Sequence, residues 1–284
     1  MHLDHEQLPP AISLIVSTGV KVWQHTMHLL RSPTSVAVLG GTSESRSLTQ
    51  ALSQQGIPWL VTATTAGARE LYQDLPGQVI ITRFSPQSLG QFLREHGIRV
   101  VVDASHPFAQ EISQQAIQVT AQLGIPYLRY ERPPVELDPW VQVVPDWQGV
   151  LTDAVLVGRR VLLLVGVKAL PLFLPWRDRC QLWARVLPES VSRAVQAGIP
   201  VERVIGMRLP LSFEQELQLW QQLPIEVAIS KASGEAGGLR IKQAVAKTLG
   251  IPLWVIQRPP LDYPWCSEDL AEVIQECQRL LRDA

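Results

Sequence analysis

From Ser35 onward, short runs of β-branched and aliphatic residues alternate with longer stretches in which apolar positions recur every three or four residues. The short runs predict strands at 35–39, 59–63, 78–82, 98–103 and 126–130, and the longer stretches predict helices near 43–55, 67–74, 86–96 and 107–123. Helix-length connections imply a parallel sheet, since only antiparallel neighbours can be joined by a short hairpin. The helices close on glycine or a polar turn, as at Gly56-Ile57-Pro58, Gly97-Ile98 and Gly124-Ile125-Pro126. The alternation continues with strands at 161–165, 181–186, 203–206, 226–230 and 253–257, separated by helical stretches near 189–198, 213–222 and 237–249. A last amphipathic helix at 267–282, apolar through Leu270, Val273, Ile274, Cys277 and Leu281, must pack back on one of the sheets.

One segment occurs twice. Leu123-Gly-Ile-Pro-Tyr-Leu-Arg-Tyr-Glu-Arg132-Pro-Pro134 returns almost intact as Leu249-Gly-Ile-Pro-Leu-Trp-Val-Ile-Gln-Arg258-Pro-Pro260. In each copy a glycine ends a helix, a proline opens a strand, and Arg-Pro-Pro stiffens the exit. The reading is an α/β fold of two similar doubly wound domains, Rossmann- or flavodoxin-like, with mostly parallel sheets. Its parts are an N-terminal extension at 1–34, a first domain at 35–134, and a second at 135–284 that carries the C-terminal helix.

Composition narrows the partners. Of 284 residues, 46% are hydrophobic and 18% charged, with a formal net charge of −1, so there is no global attraction to nucleic acid or a membrane surface. Any anionic ligand must be held by local clusters of cations. Three cysteines without a Cys-x-x-Cys pair give neither a zinc site nor a disulfide framework, and a cytoplasmic location is expected. The apolar stretch Ala11–Val16 is broken by Ser17, Thr18 and Gly19, too short to span a bilayer, and follows Asp4 and Glu6 rather than a basic leader. His25 and His28 share a helical spacing, but no carboxylate or cysteine nearby completes a metal set, so no metal is expected.

Ligands of open α/β sheets bind beyond the carboxyl ends of the strands, and those ends are polar here. The first strand stops at Gly40-Gly41-Thr42-Ser43-Glu44-Ser45-Arg46. Glycines admit close approach of the backbone, and a helix start offers N–H groups and a positive dipole end to a phosphate. The turn lacks the full Gly-x-Gly-x-x-Gly fingerprint, and a plain capped turn is the competing reading. After the second strand stand Thr64 and Thr65, then Gly67 and Arg69, with no acidic residue for a ribose 2′-hydroxyl; this favours NADP over NAD. The competing reading makes the threonine hydroxyls helix caps. After the fourth strand, Pro107 suits the first turn of a helix, with Ser105 or His106 capping it and His106 over the crevice, as a cofactor contact more readily than an acid or base. In the second half, Lys231-Ala232-Ser233-Gly234 with Gly237, Gly238, Arg240 and Lys242 forms a candidate anion cradle, against a plain solvated loop. Lys168, Arg185 and Arg208 also lie at strand ends, a set suited to a polycarboxylate.

These motifs, together with Val101-Val102-Asp103-Ala104-Ser105-His106-Pro107-Phe108-Ala109 and Arg129-Tyr130-Glu131-Arg132-Pro133, resemble the precorrin-6A reductase family of cobalamin biosynthesis, including its cobalt-precorrin-6A counterpart, from about Ser35 to Pro260. The resemblance implies reduction of one double bond of an anionic tetrapyrrole by hydride from a nicotinamide cofactor held between the domains. It implies that Gly41, Thr42, Ser43, Glu44, Arg46, Thr64, Thr65, Ser105, His106, Pro107 and Phe108 contact the cofactor. Lys231, Ser233 and Lys242 would face the substrate, and His106, Lys231 or a bound water would give the proton.

The chain departs from the family where Ala232 replaces an aspartate, at Val165-Gly166-Val167-Lys168, and at Met207-Arg208-Leu209-Pro210-Leu211-Ser212. All three lie in the second half. A short-chain dehydrogenase would need Tyr-x-x-x-Lys, and none of Tyr72, Tyr127, Tyr130 and Tyr263 has a lysine four residues on. A dinucleotide sensor without turnover and a reductase of a different polycarboxylate are the alternatives. Oligomeric state is left open.

Overall fold

The computed structural model describes residues 35–283. The expectations about the N-terminal extension, its apolar stretch and its histidine pair lie outside the described residues. In the first sheet β1 (Val36–Leu39) lies between β2 (Trp59–Ala63) and β4 (Val100–Asp103), with β3 (Gln78–Ile81) beyond β2 and β5 (Tyr127–Tyr130) beyond β4. The second sheet repeats the order. There β7 (Arg160–Leu164) lies between β8 (Gln181–Val186) and β10 (Val227–Lys231), with β9 (Val204–Gly206) and β11 (Leu253–Ile256) outside them. Every pairing is parallel, with Val38 opposite both Val61 and Val102.

Each sheet is finished by a strand that has crossed over. After β5 the chain leaves the first sheet, and β6 (Gln142–Val144) pairs with β11 at the edge of the second. After β11 it returns, and β12 (Cys266–Ser267) pairs with β5. The repeated Arg-Pro-Pro segments stand at the start of these two crossings. Neither short strand is expected from the sequence, because three and two residues carry no readable alternation.

Both faces of each sheet are covered, which is why the strands read as continuous apolar runs. Val36, Val38, Val100 and Val102 pack on α1 (Ser43–Gln54) through Leu48 and Leu52. Ala37, Leu39 and Val101 pack on α2 (Pro86–Glu95) and α3 (Gln110–Leu123) through Leu89, Leu93, Ala116 and Val119. In the second sheet Val161, Leu163 and Ala184 meet α4 (Asp153–Leu156) and α5 (Val191–Gln196). Leu162, Trp183 and Val255 meet α6 (Phe213–Gln221) and α7 (Leu239–Leu249) through Trp220, Val245 and Ala246. The C-terminal helix α8 (Leu270–Asp283) packs on the first sheet through Val273, Ile274 and Cys277. Grouping that helix with the second sheet's segment is therefore corrected: amphipathicity states that it must be covered, but not by what.

Two other elements differ from expectation. Residues 67–74 form a 3-10 helix at Ala66–Tyr72. The helix expected from 107 starts at Gln110, capped by no side chain. Local bonds hold the preceding loop out of helical geometry: Ser105 N–H donates to Asp103, Phe108 N–H to His106 Nδ1, and Ala109 N–H to His106 O. Pro107 thus sits in a turn before the helix rather than in its first turn.

The docking of α8 is open to measurement. Val273→Asp buries a carboxylate against the first sheet with no partner and should lower unfolding free energy by about 3–5 kcal/mol in a urea titration. A loss below about 1 kcal/mol would mean that the helix is not held there.

Candidate active site

The glycine turn is held by packing from three directions. Gly40 has no room for a side chain, since a β-carbon would lie 2.5 Å from Val61 and 2.7 Å from the Tyr72 hydroxyl. Gly41 has φ +93°, which L side chains rarely adopt. Its N–H donates to Tyr72 Oη at 2.8 Å, and Tyr72 Oη lies 2.6 Å from Ser45 Oγ. Thr42 caps α1, accepting from Ser45 N–H, and donates its hydroxyl to Ala104 O at 2.7 Å. The turn is thereby tied to both β2 and the loop after β4. Of the first-turn N–H groups, that of Glu44 turns to its own carboxylate, whereas that of Ser43 has no intrahelical acceptor and is open to an anion.

The loop after β4 is built on a buried carboxylate. Asp103 accepts from Ser105 N–H, Ser113 Oγ at 2.6 Å, Tyr127 Oη at 2.7 Å and Arg129 at 2.9 Å. Burial and the neighbouring carboxylate push the Tyr127 phenol far up, so it stays a donor. Burial works against the Arg129 cation, but Asp103 and Glu131 hold it protonated. Above this frame sits His106. Burial and the charges of Lys231, Arg132, Arg129 and Arg258 push its pKa down to about 2. The ring is neutral, and because Nδ1 accepts from Phe108 N–H at 3.1 Å, Nε2 carries the hydrogen.

Opposite lies the end of β10. Lys231 holds its Nζ 4.9 Å from the centre of the Phe108 ring, a cation–π contact joining the two sheets. Burial, then Lys168, pushes the Lys231 pKa down to about 8. Gly166, beside it, has φ +77°, a conformation that favours glycine; a β-carbon there would meet Lys231 Nζ only at ordinary contact, 3.8 Å. His106, Phe108, Trp147, Lys168, Lys231 and Pro259 line a cleft of about 560 Å³ between the sheets.

Beside the cleft the two repeated arginines interlock. Arg132 donates to Glu44 Oε2 at 2.5 Å and to Ser233 O, linking the start of α1 to the loop after β10. Gly234 is required there, since any side chain would run into that of Arg132. Arg258 donates to Arg132 O at 2.6 Å, Pro133 O at 3.1 Å and Ala232 O at 3.0 Å. Burial opposes ionisation of Glu44, but Arg132 prevails and holds its carboxyl below the usual range.

This geometry can be set beside known proteins. A family model described as "Precorrin-6x reductase CbiJ/CobK" matches residues 35–278. The chain belongs to the precorrin-6x reductase family. A cobalt-precorrin-6A reductase of Synechocystis sp. is 40% identical over 261 residues, covering 89% of this chain and 99% of that protein. A cobalt-precorrin-6A reductase of Priestia megaterium is 31% identical over 84% of this chain and 96% of its own length. A solved structure of CobK precorrin-6A reductase superposes with a TM-score of 0.69 at 26% identity, over 87% of this chain and 97% of that one. The chain is thus an oxidoreductase of cobalamin biosynthesis, acting on a CH–CH bond. Among the described residues, no helix is long and apolar enough to cross a membrane, and no group of three or more His, Cys, Asp and Glu could hold a metal ion.

Family membership does not assign residues, and several expected ones are committed elsewhere. Arg185 faces α6, where Glu216 takes both of its bonds at 2.6 and 2.5 Å. Lys242 is 2% exposed and donates to Ser230 Oγ at 3.2 Å; burial, then Arg185, pushes its pKa down to about 7. Neither reaches the cleft. Strand alternation carries the signal for Arg185, which shares a face with Trp183 and so lies under a helix. Ser233 is buried, its hydroxyl on Lys231 O at 3.3 Å, and shapes the turn. Arg46 is spent on Asp74, with both contacts at 2.8 Å. Arg208 lies outside the cleft, beside the loop after β2. The cleft keeps His106, Phe108, Lys168 and Lys231 from the expected set. Ser43, Thr64 and Thr65 remain exposed at the strand ends, and Thr65 does not cap the helix that follows it. Tyr72 and Trp147 were not expected; Trp147 follows the unreadable strand β6, and Tyr72 lies in what reads as a plain helix.

The depressed His106 pKa makes stability depend on pH. Above about 6.5 the ring is neutral in both states; below it the unfolded chain takes a proton that the folded site refuses, so stability falls by up to ~1.4 kcal/mol per pH unit. Replacing His106 with Asn should remove that part of the slope between pH 6.5 and 4.5 in denaturant titrations. Equal slopes in both proteins would mean that His106 takes up protons in the folded state.

Proposed function

We propose that this protein reduces one carbon–carbon double bond of cobalt-precorrin-6A, taking hydride from NADPH, with Lys231 as the proton donor. The observation that carries the reading is Lys231 itself, an ammonium at the strand end in the cleft with its pKa lowered toward neutrality. A general acid works best when its pKa lies near the operating pH. The cobalt form is favoured because the 40% identical relative carries that name; cobalt here belongs to the substrate.

The residues fit a dinucleotide. The side-chain-free turn at Gly40 and Gly41 would let a diphosphate approach the Ser43 N–H at the start of α1, and the Nε2–H of His106 offers a neutral donor, suited to an amide carbonyl, from a site where a cation is disfavoured. When bound, the reduced nicotinamide supplies the hydride. Lys231 releases its proton to the carbon partner of the double bond and is reprotonated from solvent. Lys168, exposed at the cleft, faces the substrate carboxylates and lowers the Lys231 pKa. Phe108 and Trp147, edge-on at a centroid distance of 6.4 Å, give the macrocycle an apolar wall.

Under anaerobic conditions, the protein with cobalt-precorrin-6A and NADPH should show nicotinamide oxidation coupled to a change in the tetrapyrrole spectrum. Tight dinucleotide binding without turnover would overturn the reading. Lys231→Ala should lower kcat by about 10²–10⁴-fold with NADPH affinity unchanged. Wild-type kcat should fall as pH rises past about 8, where Lys231 loses its proton; a flat profile from pH 7 to 10 would assign the proton to another donor. Gly41→Asp should abolish NADPH binding by placing bulk and negative charge at the diphosphate; retained affinity would remove the turn from the cofactor site.

A further inference from the structure

The loop after the second strand of a doubly wound sheet receives the adenosine ribose, and what stands there decides between a 2′-hydroxyl and a 2′-phosphate. Here that loop, Thr64-Thr65-Ala66-Gly67, is exposed over its first three residues and carries no carboxylate before Glu70. Arg46 is held by Asp74 and by Leu71 O at 2.6 Å. What meets Gly67 comes instead from the other sheet. A β-carbon on Gly67 would lie 3.4 Å from Glu189 Oε1 and 4.0 Å from Arg208 Nη2. Glu189 belongs to the 3-10 turn after β8, and Arg208 stands two residues beyond β9. The ends of two second-sheet strands thus converge on the ribose loop of the first.

The pair they form is loose. Arg208 Nη2 and Glu189 Oε2 are 3.4 Å apart, and the Arg208 side chain is 58% exposed. A pair of this length in solvent holds little and can be exchanged. A guanidinium binds phosphate through charge-assisted, often bidentate bonds, so a phosphate beside Gly67 would displace Glu189 as its partner. A bare ribose diol calls for a free carboxylate, whereas the carboxylate present is neutralised by its arginine.

We infer that the cofactor is selected in trans: Arg208, from the second sheet, receives the 2′-phosphate of NADPH over Gly67, and Glu189 holds the guanidinium in waiting. This rests on the dinucleotide reading above and adds to it a residue that departs from the family pattern. It also moves Arg208 from the substrate to the cofactor.

The test is calorimetric titration of the full chain with 2′,5′-ADP and with 5′-AMP, which differ in the 2′-phosphate. Wild type should prefer 2′,5′-ADP. Arg208→Gln should lose about ten-fold in 2′,5′-ADP affinity with 5′-AMP binding unchanged. Glu189→Gln should raise 2′,5′-ADP affinity several-fold by removing the competing charge. Retention of the preference in Arg208→Gln, or its loss in Arg69→Gln instead, would overturn the inference and leave the NADPH reading standing. Equal affinity of wild type for both probes would overturn the NADPH reading, and the inference with it.

Discussion

The structure depends on how two arginines are satisfied where the chain passes between its sheets. Arg132 joins Glu44 of the first sheet's helix to Ser233 of the second sheet's loop, and Arg258 grips the backbone of Arg132 and Pro133. A guanidinium that loses its acceptors in such a site leaves a desolvated charge, so the two crossings are mutually dependent. The partners on one side belong to the glycine turn and on the other to the loop after Lys231. The relative position of that turn and Lys231 is therefore set by bonds beside the cleft rather than within it.

The charges around the cleft do different work according to their burial. Glu44 and Glu131 compensate the crossing arginines, leaving the local field positive at His106 and Lys231. Burial and that field keep the imidazole neutral, whereas burial, then Lys168, lowers the hold of Lys231 on its proton. Desolvation thus keeps one side chain a neutral hydrogen-bond donor and loosens the proton of the other. Lys242, on the inner face of α7, is shifted by burial too, but faces a serine and an ion pair rather than the cleft.

Much of this is legible in the sequence, for reasons that also mark where legibility stops. Strands such as Val100–Asp103 and Arg160–Leu164 are buried on both faces, and their unbroken apolar runs announce it. The repeated Leu-Gly-Ile-Pro and Arg-Pro-Pro segments mark the two equivalent places in the fold. The destination of each crossing is not readable, because β6 and β12 are too short to carry a pattern. The glycine turn and the His-Pro-Phe loop stand at the ends of β1 and β4, where the spacing puts them. The cations of the second half divide otherwise, since proximity to a strand end does not tell which face a side chain takes. Arg185 turns beneath α6 and Lys242 points inward from α7, whereas Lys168 and Lys231 face the cleft.

The crossing strand β12 has a consequence for how the molecule is made. Until residues 266–267 pair with β5, the first sheet ends in an open edge whose backbone donors and acceptors can recruit another chain. Those residues, and the helix that seals Val36 and Val102 behind them, are made only after every strand of the second sheet. The first sheet is begun before the second and completed after it. A protein built this way makes the finishing of one sheet wait on the synthesis of the other: a product that stops before Cys266 keeps an unfinished edge.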